Sequence, residues 1–270
     1  MRHFLFMIAA ACLLAGCQGP TNITGQEDQI NEEPDVIETH GRIENIEQLD
    51  QFVKNVQNET DDNVVVVRHT IEGDPIYYKL DYDSNVLDYT VDTTEDAYGP
   101  KEVRTIECKG IEKKVTNTET TYTITGCPSG SPGEFFTIRH DVSQQDYFGF
   151  HLKYGTEKRN EINTKEMEVI KDLGNGNKAT IKDFQFSNEE LNQIYKHMVF
   201  ANYLEEKNVT KECHEPGDER YEMTVWINAG KRHYEWSECD QSEDGKEMTQ
   251  LVQDILGVAE ENSSYQSIKE

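Results

Sequence analysis

The clearest pattern in the first half of the chain is an apolar stripe followed by several strand-like runs. The stripe has spacings of three and four, which predict a helix, and it consists of Ile43, Ile46, Leu49, Phe52, Val53 and Val56. Residues 64–67 are uniformly apolar and predict a strand buried on both faces, which residues 68–71 prolong. Turn residues at 73–75 separate this strand from the run at 76–82, so the two runs predict a hairpin.

Three further runs in the first half alternate between polar and apolar side chains. They cover residues 86–91, 103–108 and 120–125, and each predicts a strand. One helix followed by antiparallel strands is typical of an α+β fold. We therefore predict a first α+β domain over residues 41–155.

The second half of the chain has a different order of elements. Strand-like runs at 167–170 and 179–186 flank a Gly- and Asn-rich turn, and Ser187 with Glu190 forms a capping box before a helix at 191–198. A hairpin centred on Gly230 and a closing helix over 248–256 follow. This order of strand, strand, helix, strand, strand, helix predicts a second α+β domain over residues 165–260.

These patterns together predict an α+β protein of two small domains, each an antiparallel sheet with one or two packed helices. The polar stretch at 156–165 is the predicted boundary between the two domains. The last ten residues, 261–270, have few apolar side chains, and we predict a disordered tail there.

The first residues of the chain have the composition of an export signal. Arg2 precedes an unbroken small and apolar run over residues 4–16, which is shorter than the ~20 residues that a spanning helix needs. The run ends at Leu14, Ala15, Gly16 and Cys17, which resembles the lipobox of bacterial lipoproteins. We predict a signal peptide over 1–16 and lipidation of Cys17. The alternative is an ordinary secretory signal cut near residues 9–11, with Cys17 an incidental thiol.

A lipidated Cys17 implies an anchor with at least two acyl chains, such as diacylglycerol with palmitate, because one chain binds a membrane only marginally. The predicted location is the cell membrane, on the side facing away from the cytoplasm. Residues 18–40 carry six acidic side chains and no Lys or Arg, so we predict that 17–40 is a disordered acidic tether. A flexible tether of this length has a reach of roughly 25 Å.

The charge of the chain limits its partners. The 26 Lys and Arg face 52 Asp and Glu, for a net charge of -26, and removal of residues 1–16 takes away Arg2 and no acid, which gives -27. Such a chain is repelled by polyanions. We predict no nucleic-acid partner, membrane contact only through the lipid at Cys17, and a protein or cell-wall partner.

The cysteines fit an oxidising compartment. Cys12 leaves with the signal peptide, and the four remaining after Cys17 allow three pairings. Pairing of Cys108 with Cys127 and of Cys213 with Cys239 is favoured because each pair brackets one predicted hairpin. The alternative is a zinc site using His214 beside Cys213, but no C-x-x-C spacing supports it. We predict no metal and no cofactor.

Several short segments carry a resemblance to a known family. They are Gly41, Ile43, Glu44, Asn45 and Leu49, then residues 70–76, then Asp92, Thr93 and Thr94. These segments resemble the domain of unknown function 4362 family of lipoproteins in Bacillus-type Gram-positive bacteria, over about residues 39–139, with Cys108 and Cys127 at matching places. The resemblance implies location and domain limits, and it adds no catalytic residues.

The sequence contains no catalytic motif that points to a reaction. There is no G-x-S-x-G elbow, P-loop or dinucleotide fingerprint. His69 shares the parity of Val65 and Val67, and with Glu72 and Asp74 nearby it forms the only acid/base cluster worth inspecting, although a structural histidine is favoured.

We therefore predict a noncatalytic binding or interaction module anchored at the cell envelope. The alternatives are an envelope hydrolase that uses the cluster near His69 and an acidic cation-binding protein. Asp81, Asp83, Asn85 and Asp92 have the spacing of a calcium loop, but Val86 stands where a glycine is required and Asp92 where a glutamate is. A β-turn is therefore the better interpretation there.

Overall fold

The computed structural model describes residues 34–128, 132–212 and 217–267, and it confirms the α+β prediction. The first sheet has six strands in the order β2-β1-β3-β4-β5-β6. Its elements are β1 Val36–Thr39, β2 Arg42–Glu44, α1 Ile46–Gln57, β3 Asp62–His69, β4 Pro75–Asp83, β5 Val86–Asp92 and β6 Val103–Cys108. The sheet is mixed, because β1 pairs parallel to β3 whereas the other neighbours are antiparallel.

A second sheet of three strands shares its core with the first. Its strands, in the order β7-β8-β9, are β7 Gly110–Val115, β8 Glu119–Thr125 and β9 Glu134–Arg139. The apolar stripe predicted for α1 is buried through Leu49, Phe52, Val53 and Val56. One buried cluster contains this stripe, Val64 and Val66 of β3, and the aromatic residues Tyr122 and Phe136 of the second sheet.

The third sheet is antiparallel, with six strands in the order β13-β12-β11-β10-β14-β15. Its elements are β10 Phe148–Tyr154, β11 Asn160–Asn163, β12 Glu168–Gly174, β13 Asn177–Lys182, α2 Asn188–Phe200, β14 Arg220–Ile227, β15 Gly230–Ser237, α3 Glu243–Glu261 and α4 Ser263–Gln266. The helices contribute Ile194, Met198, Leu251 and Ile255 to the core of this sheet. The capping box of α2 is confirmed, since Ser187 and Glu190 exchange side-chain to backbone hydrogen bonds.

Two segments predicted to be disordered are ordered. Residues 36–39, inside the predicted tether, form β1 because their backbone pairs with β3 and Val36 is buried. Residues 261–267, inside the predicted tail, complete α3 and form α4. Tyr265 of α4 is buried, and its hydroxyl hydrogen-bonds that of Tyr154 at 2.7 Å. Both predictions were wrong for these residues because contacts with residues distant in the sequence order each segment.

The stretch predicted as a domain boundary, residues 156–165, contains β11, which lies between β10 and β12 in the third sheet. Val199 of α2 packs against both apolar clusters. The division of the chain into domains at 41–155 and 165–260 stays a prediction. The signal peptide over 1–16 and most of the tether lie outside the described residues.

Candidate interaction surface

The predicted acid/base cluster is dispersed in the structure. His69 is the last residue of β3, and its Nδ1 atom lies 3.0 Å from the hydroxyl of Thr39 on β1. Asp74 instead accepts a hydrogen bond from the backbone N–H of Ala97 at 2.9 Å, and Glu72 is exposed in the turn. Within the described part of the chain, neither carboxylate hydrogen-bonds to His69. The three candidate residues are therefore not assembled for proton transfer, which requires hydrogen-bond reach.

Asp74 has a different structural role, because it joins two loops at one end of the first sheet. One loop is the β3–β4 turn at residues 70–74, and the other is the β5–β6 connection at residues 93–102. We call these loops together the two-loop tip. The Asp74 to Ala97 hydrogen bond spans them directly. The tip is therefore one structural feature built from two loops that are distant in sequence.

The β3–β4 turn is closed by its own hydrogen bonds. The N–H of Thr70 donates to the carbonyl of Asp74 and the N–H of Gly73 to the carbonyl of Thr70, both at 2.9 Å. The Thr70 hydroxyl also accepts from the N–H of Asp74 at 3.1 Å. Gly73 has a φ of +94°, which favours glycine. The strand thus ends at His69, and Ile71, predicted to prolong it, lies in the turn.

The β5–β6 loop is closed in a similar way. Asp96 accepts two hydrogen bonds of 2.9 Å, from the N–H groups of Tyr98 and Gly99. The hydroxyl of Thr93 donates to the carbonyls of Pro100 and Glu102. Side chains that bond neighbouring backbone groups hold a turn in one conformation. Both loops of the tip are therefore fixed by local hydrogen bonds.

Each loop exposes one large apolar side chain. Ile71 is 89% exposed and Tyr98 is 81% exposed, the two highest values for a large hydrophobic residue in the described part of the chain. The next is Val103, at 59%, which begins β6 beside the tip. Single exposed apolar residues are common on protein surfaces, whereas larger contiguous apolar patches mark interaction sites.

The tip is strongly acidic around these apolar side chains. Residues 70–74 and 93–102 carry five carboxylates and one ammonium group, and these are Glu72, Asp74, Glu95, Asp96, Glu102 and Lys101. Burial and the negative charge of the nearby Glu95 raise the pKa of Tyr77, so Glu95 lies close to β4. The apolar side chains of the tip are thus surrounded by negative charge.

Apart from the tip, the first sheet has a concave region where β2 approaches α2 and α3. Two adjoining cavities of about 330 and 340 Å³ share Arg42, Asn202 and Glu205 in their walls. Arg42 forms an ion pair with Glu205. Lys207, whose side chain is 3% exposed, pairs with Glu247 at 2.5 Å, and burial raises the pKa of that carboxyl. The buried ammonium group of Lys207 is thus paired with a carboxylate, as a buried ion requires.

The cysteine prediction is confirmed for one pair. Cys108 and Cys127 form a disulfide with a Cα–Cα distance of 4.1 Å. Cys239 is also disulfide-bonded. Its predicted partner Cys213 and the alternative zinc ligand His214 lie outside the described residues, as does Cys17, so the Cys213–Cys239 pairing and the lipidation stay predictions.

Metal sites and membrane spans each require a particular grouping of residues, which the described part of the chain lacks. Across 34–128, 132–212 and 217–267, no three His, Cys, Asp or Glu side chains are grouped so as to hold a metal ion. None of the helices in these ranges is both long and apolar enough to cross a membrane.

Residues 33–123 match the family described as Domain of unknown function (DUF4362). This segment is therefore similar to the family, which confirms the resemblance predicted from the sequence. The matched segment contains β1 to β6, α1 and both loops of the tip. No curated protein and no solved structure matches the chain.

The tip could not be recognised as a site from the sequence. Its aromatic anchor, Tyr98, follows a polar run with no periodicity, and its aliphatic anchor, Ile71, continues the alternation of a strand. The one signal available was the turn chemistry of residues 73–75, which predicts where the chain reverses. It does not predict which side chains the reversal exposes.

Proposed function

We propose that this chain is a membrane-anchored lipoprotein of the cell envelope that acts as a noncatalytic interaction module through the two-loop tip. The observation that carries the proposal is the exposure of Ile71 and Tyr98 on loops fixed by Asp74 and Asp96. Rigid loops with apolar anchors bind partners without a large ordering cost. The same observation argues against a hydrolase site at the tip, because the Asp74 carboxylate already accepts a hydrogen bond from the N–H of Ala97.

The direction of β1 supports this arrangement. β1 is parallel to β3, and β3 ends at the tip, so both strands run toward it. The described polypeptide therefore enters the first sheet at Val36, beside the middle of β3, and runs from there toward the tip. An anchor at Cys17 lies upstream of that point, and the tether predicted between the two can hold the tip away from the membrane.

The anchoring part of the proposal is tested by lipid labelling of whole cells. We expect labelled fatty acid to be incorporated into the wild-type protein and to be lost in the Cys17→Ser variant, which is released to the medium or kept as an unprocessed precursor. Cys12→Ser is the matched control and keeps the label. Label that persists in Cys17→Ser contradicts the anchor.

The interaction part is tested by chemical cross-linking in intact cells followed by capture of the full chain. Three forms are compared: the wild type, the tip variant Ile71→Ser with Tyr98→Ser, and a control variant Val115→Ser with Leu173→Ser at exposed positions elsewhere. We expect a cross-linked species that the tip variant loses and the control keeps. Equal yields from all three forms, or no adduct from the wild type, contradict the proposed function.

A further inference from the structure

We infer that the partner of the two-loop tip is a protein whose surface has an apolar socket surrounded by Lys and Arg side chains. This inference rests on the proposed function and adds the chemistry of the partner. It depends on three properties of the tip, namely its apolar anchors, its fixed conformation and its charge.

The exposed apolar side chains of the tip determine the chemistry that the centre of the partner surface must have. Ile71 and Tyr98 belong to loops joined through Asp74 and Ala97, so one continuous surface of the partner can cover both. Burial of an exposed isoleucine or aromatic side chain favours binding, and tyrosine is enriched among the residues that dominate interface energies. The complementary feature is an apolar depression.

The fixed conformation of the tip makes this burial effective. Ile71 lies within a turn closed by Thr70 and Asp74, and Tyr98 within a loop closed by Asp96. A loop that is already ordered loses little conformational entropy when it binds. The tip therefore needs no rearrangement to present its anchors, and a folded protein surface is a suitable partner.

The negative charge of the tip determines which side chains must surround the apolar depression on the partner. Glu72 and Glu102 are exposed, and among the described residues their side chains have no hydrogen bond or ion pair. Burying the anchors beside these carboxylates is favourable only where the facing groups are positive, because like charges across an interface cost several kcal/mol. The net charge of -26 on the chain adds a long-range attraction for a cationic partner.

The same charge argues against a bilayer as the surface that covers the tip. Anionic headgroups give membranes a negative surface potential, which attracts basic segments and repels acidic ones. With five carboxylates and one Lys, the tip has the wrong sign for such a surface. A lipid contact is therefore kept as a competing outcome of the experiment.

The experiment uses the full chain in intact cells with a photoreactive amino acid in place of Tyr98. The yield of cross-linked adduct is measured for three forms of the protein. The first has an otherwise native tip, and the second, called the rim variant, carries Glu72→Lys with Glu102→Lys. The third is a control variant that carries Glu107→Lys with Glu112→Lys. Both variants change the net charge equally, and Glu107 and Glu112 are exposed strand residues outside the tip. Circular dichroism melting verifies that all three forms fold.

We expect the rim variant to lose about tenfold in adduct yield and the control to lose less than about twofold, because rim charges act mainly through association rate. The yield of the native tip should fall as NaCl is raised from about 0.05 M to about 0.5 M, whereas that of the rim variant should not. Equal yields from rim and control variants overturn the cationic partner while the adduct itself preserves the proposed function. Absence of any adduct overturns both.

A vesicle arm tests the lipid alternative. The full chain with Cys17→Ser is mixed with vesicles of phosphatidylglycerol and phosphatidylcholine, and sedimentation of bound protein is measured. We expect no binding. Binding that is lost in Ile71→Ser overturns the inference of a protein partner and assigns the tip to the membrane surface.

Discussion

The side-chain amide of Asn202 pairs with both backbone groups of Ile43, 159 residues earlier in the chain. The Ile43 N–H donates to Oδ1 of Asn202 at 2.9 Å, and Nδ2 of Asn202 donates to the Ile43 carbonyl at 2.6 Å. Ile43 lies in β2, which is an edge strand of the first sheet, so this amide takes the place of a missing neighbouring strand. It also ties the end of α2 to the first sheet.

Loss of this amide should destabilise the protein. Asn202 has a φ of +44°, so Asn202→Gly removes the amide without adding backbone strain. We expect the free energy of unfolding to fall by about 1–3 kcal/mol, because two backbone groups lose their partners. Urea unfolding monitors the change. Asn175→Gly, at an exposed turn residue with a φ of +52°, is the control, and an equal loss in both variants contradicts this role for Asn202.

Removal of the Cys108–Cys127 disulfide should also reduce stability. The two cysteines are 19 residues apart, and in the chain-entropy model a loop of this size contributes about 3 kcal/mol. We expect Cys108→Ser with Cys127→Ser to lower the denaturant midpoint. Nonreducing peptide mapping should in addition find Cys213 linked to Cys239. An unchanged midpoint, or a link between Cys108 and a cysteine of the second half, contradicts the predicted framework.

The pH dependence of stability should reveal a cross-strand network on the third sheet. Glu222 and Glu235 lie directly opposite each other on β14 and β15, and Lys158 pairs with both. Hydrogen bonds from Lys158 and then Lys211 lower the pKa of Glu235 from 4.5 to about 2. Because the folded-state pKa is the lower one, this stabilisation is present above pH 4.5 and is lost as the pH falls toward about 2.

We therefore expect Glu235→Gln to be less stable than the wild type at neutral pH and to approach it in stability as the pH is lowered through that window. Thermal unfolding at a series of pH values measures the difference. Glu206→Gln removes an exposed carboxylate outside the network and serves as the control. A difference between wild type and Glu235→Gln that does not change with pH is the contrary result.

His69 should behave as a structural residue. Its ring bonds the hydroxyl of Thr39, so His69→Gln is expected to cost about 1 kcal/mol of stability, the usual contribution of one hydrogen bond. Thr39→Val should cost a similar amount, and the double variant less than the two together, as for residues in contact. Adduct formation from the tip should be unchanged. A reaction abolished by His69→Gln at constant melting temperature contradicts the noncatalytic proposal.

The regular elements with strong periodicity were predictable from the sequence. The stripe of α1, the hairpin of β3 and β4, the capping box of α2 and the hairpin of β14 and β15 all depend on local patterns of side chains. Two of the strands that were not predicted, β7 and β11, have weak local patterns. β7 has only one fully apolar inward position, Ile111, and β11 has only Ile162, so burial of either strand depends on neighbours distant in the chain.

The two-loop tip is a second kind of feature that the sequence pattern does not predict. The alternation of Val65, Val67, His69 and Ile71 predicts a single strand face, but the chain turns after His69. That turn depends on Asp74, and the position of the Asp74 side chain depends on the N–H of Ala97, in a loop more than twenty residues later. Long-range hydrogen bonds of this kind leave no periodic signal. Glu72 and Asp74 of the predicted acid/base cluster therefore belong to the observed tip in a different role, whereas His69 ends β3.

The most direct test of the central claim is a position scan in living cells. A photoreactive amino acid is placed in turn at Ile71, Tyr98, Val115, Leu173 and Leu204, all exposed apolar residues. If the two-loop tip is the interaction surface of an anchored protein, positions 71 and 98 give the same adduct and the other three give little or none. Adducts of equal yield at all five positions, or adducts confined to 115, 173 and 204, contradict it.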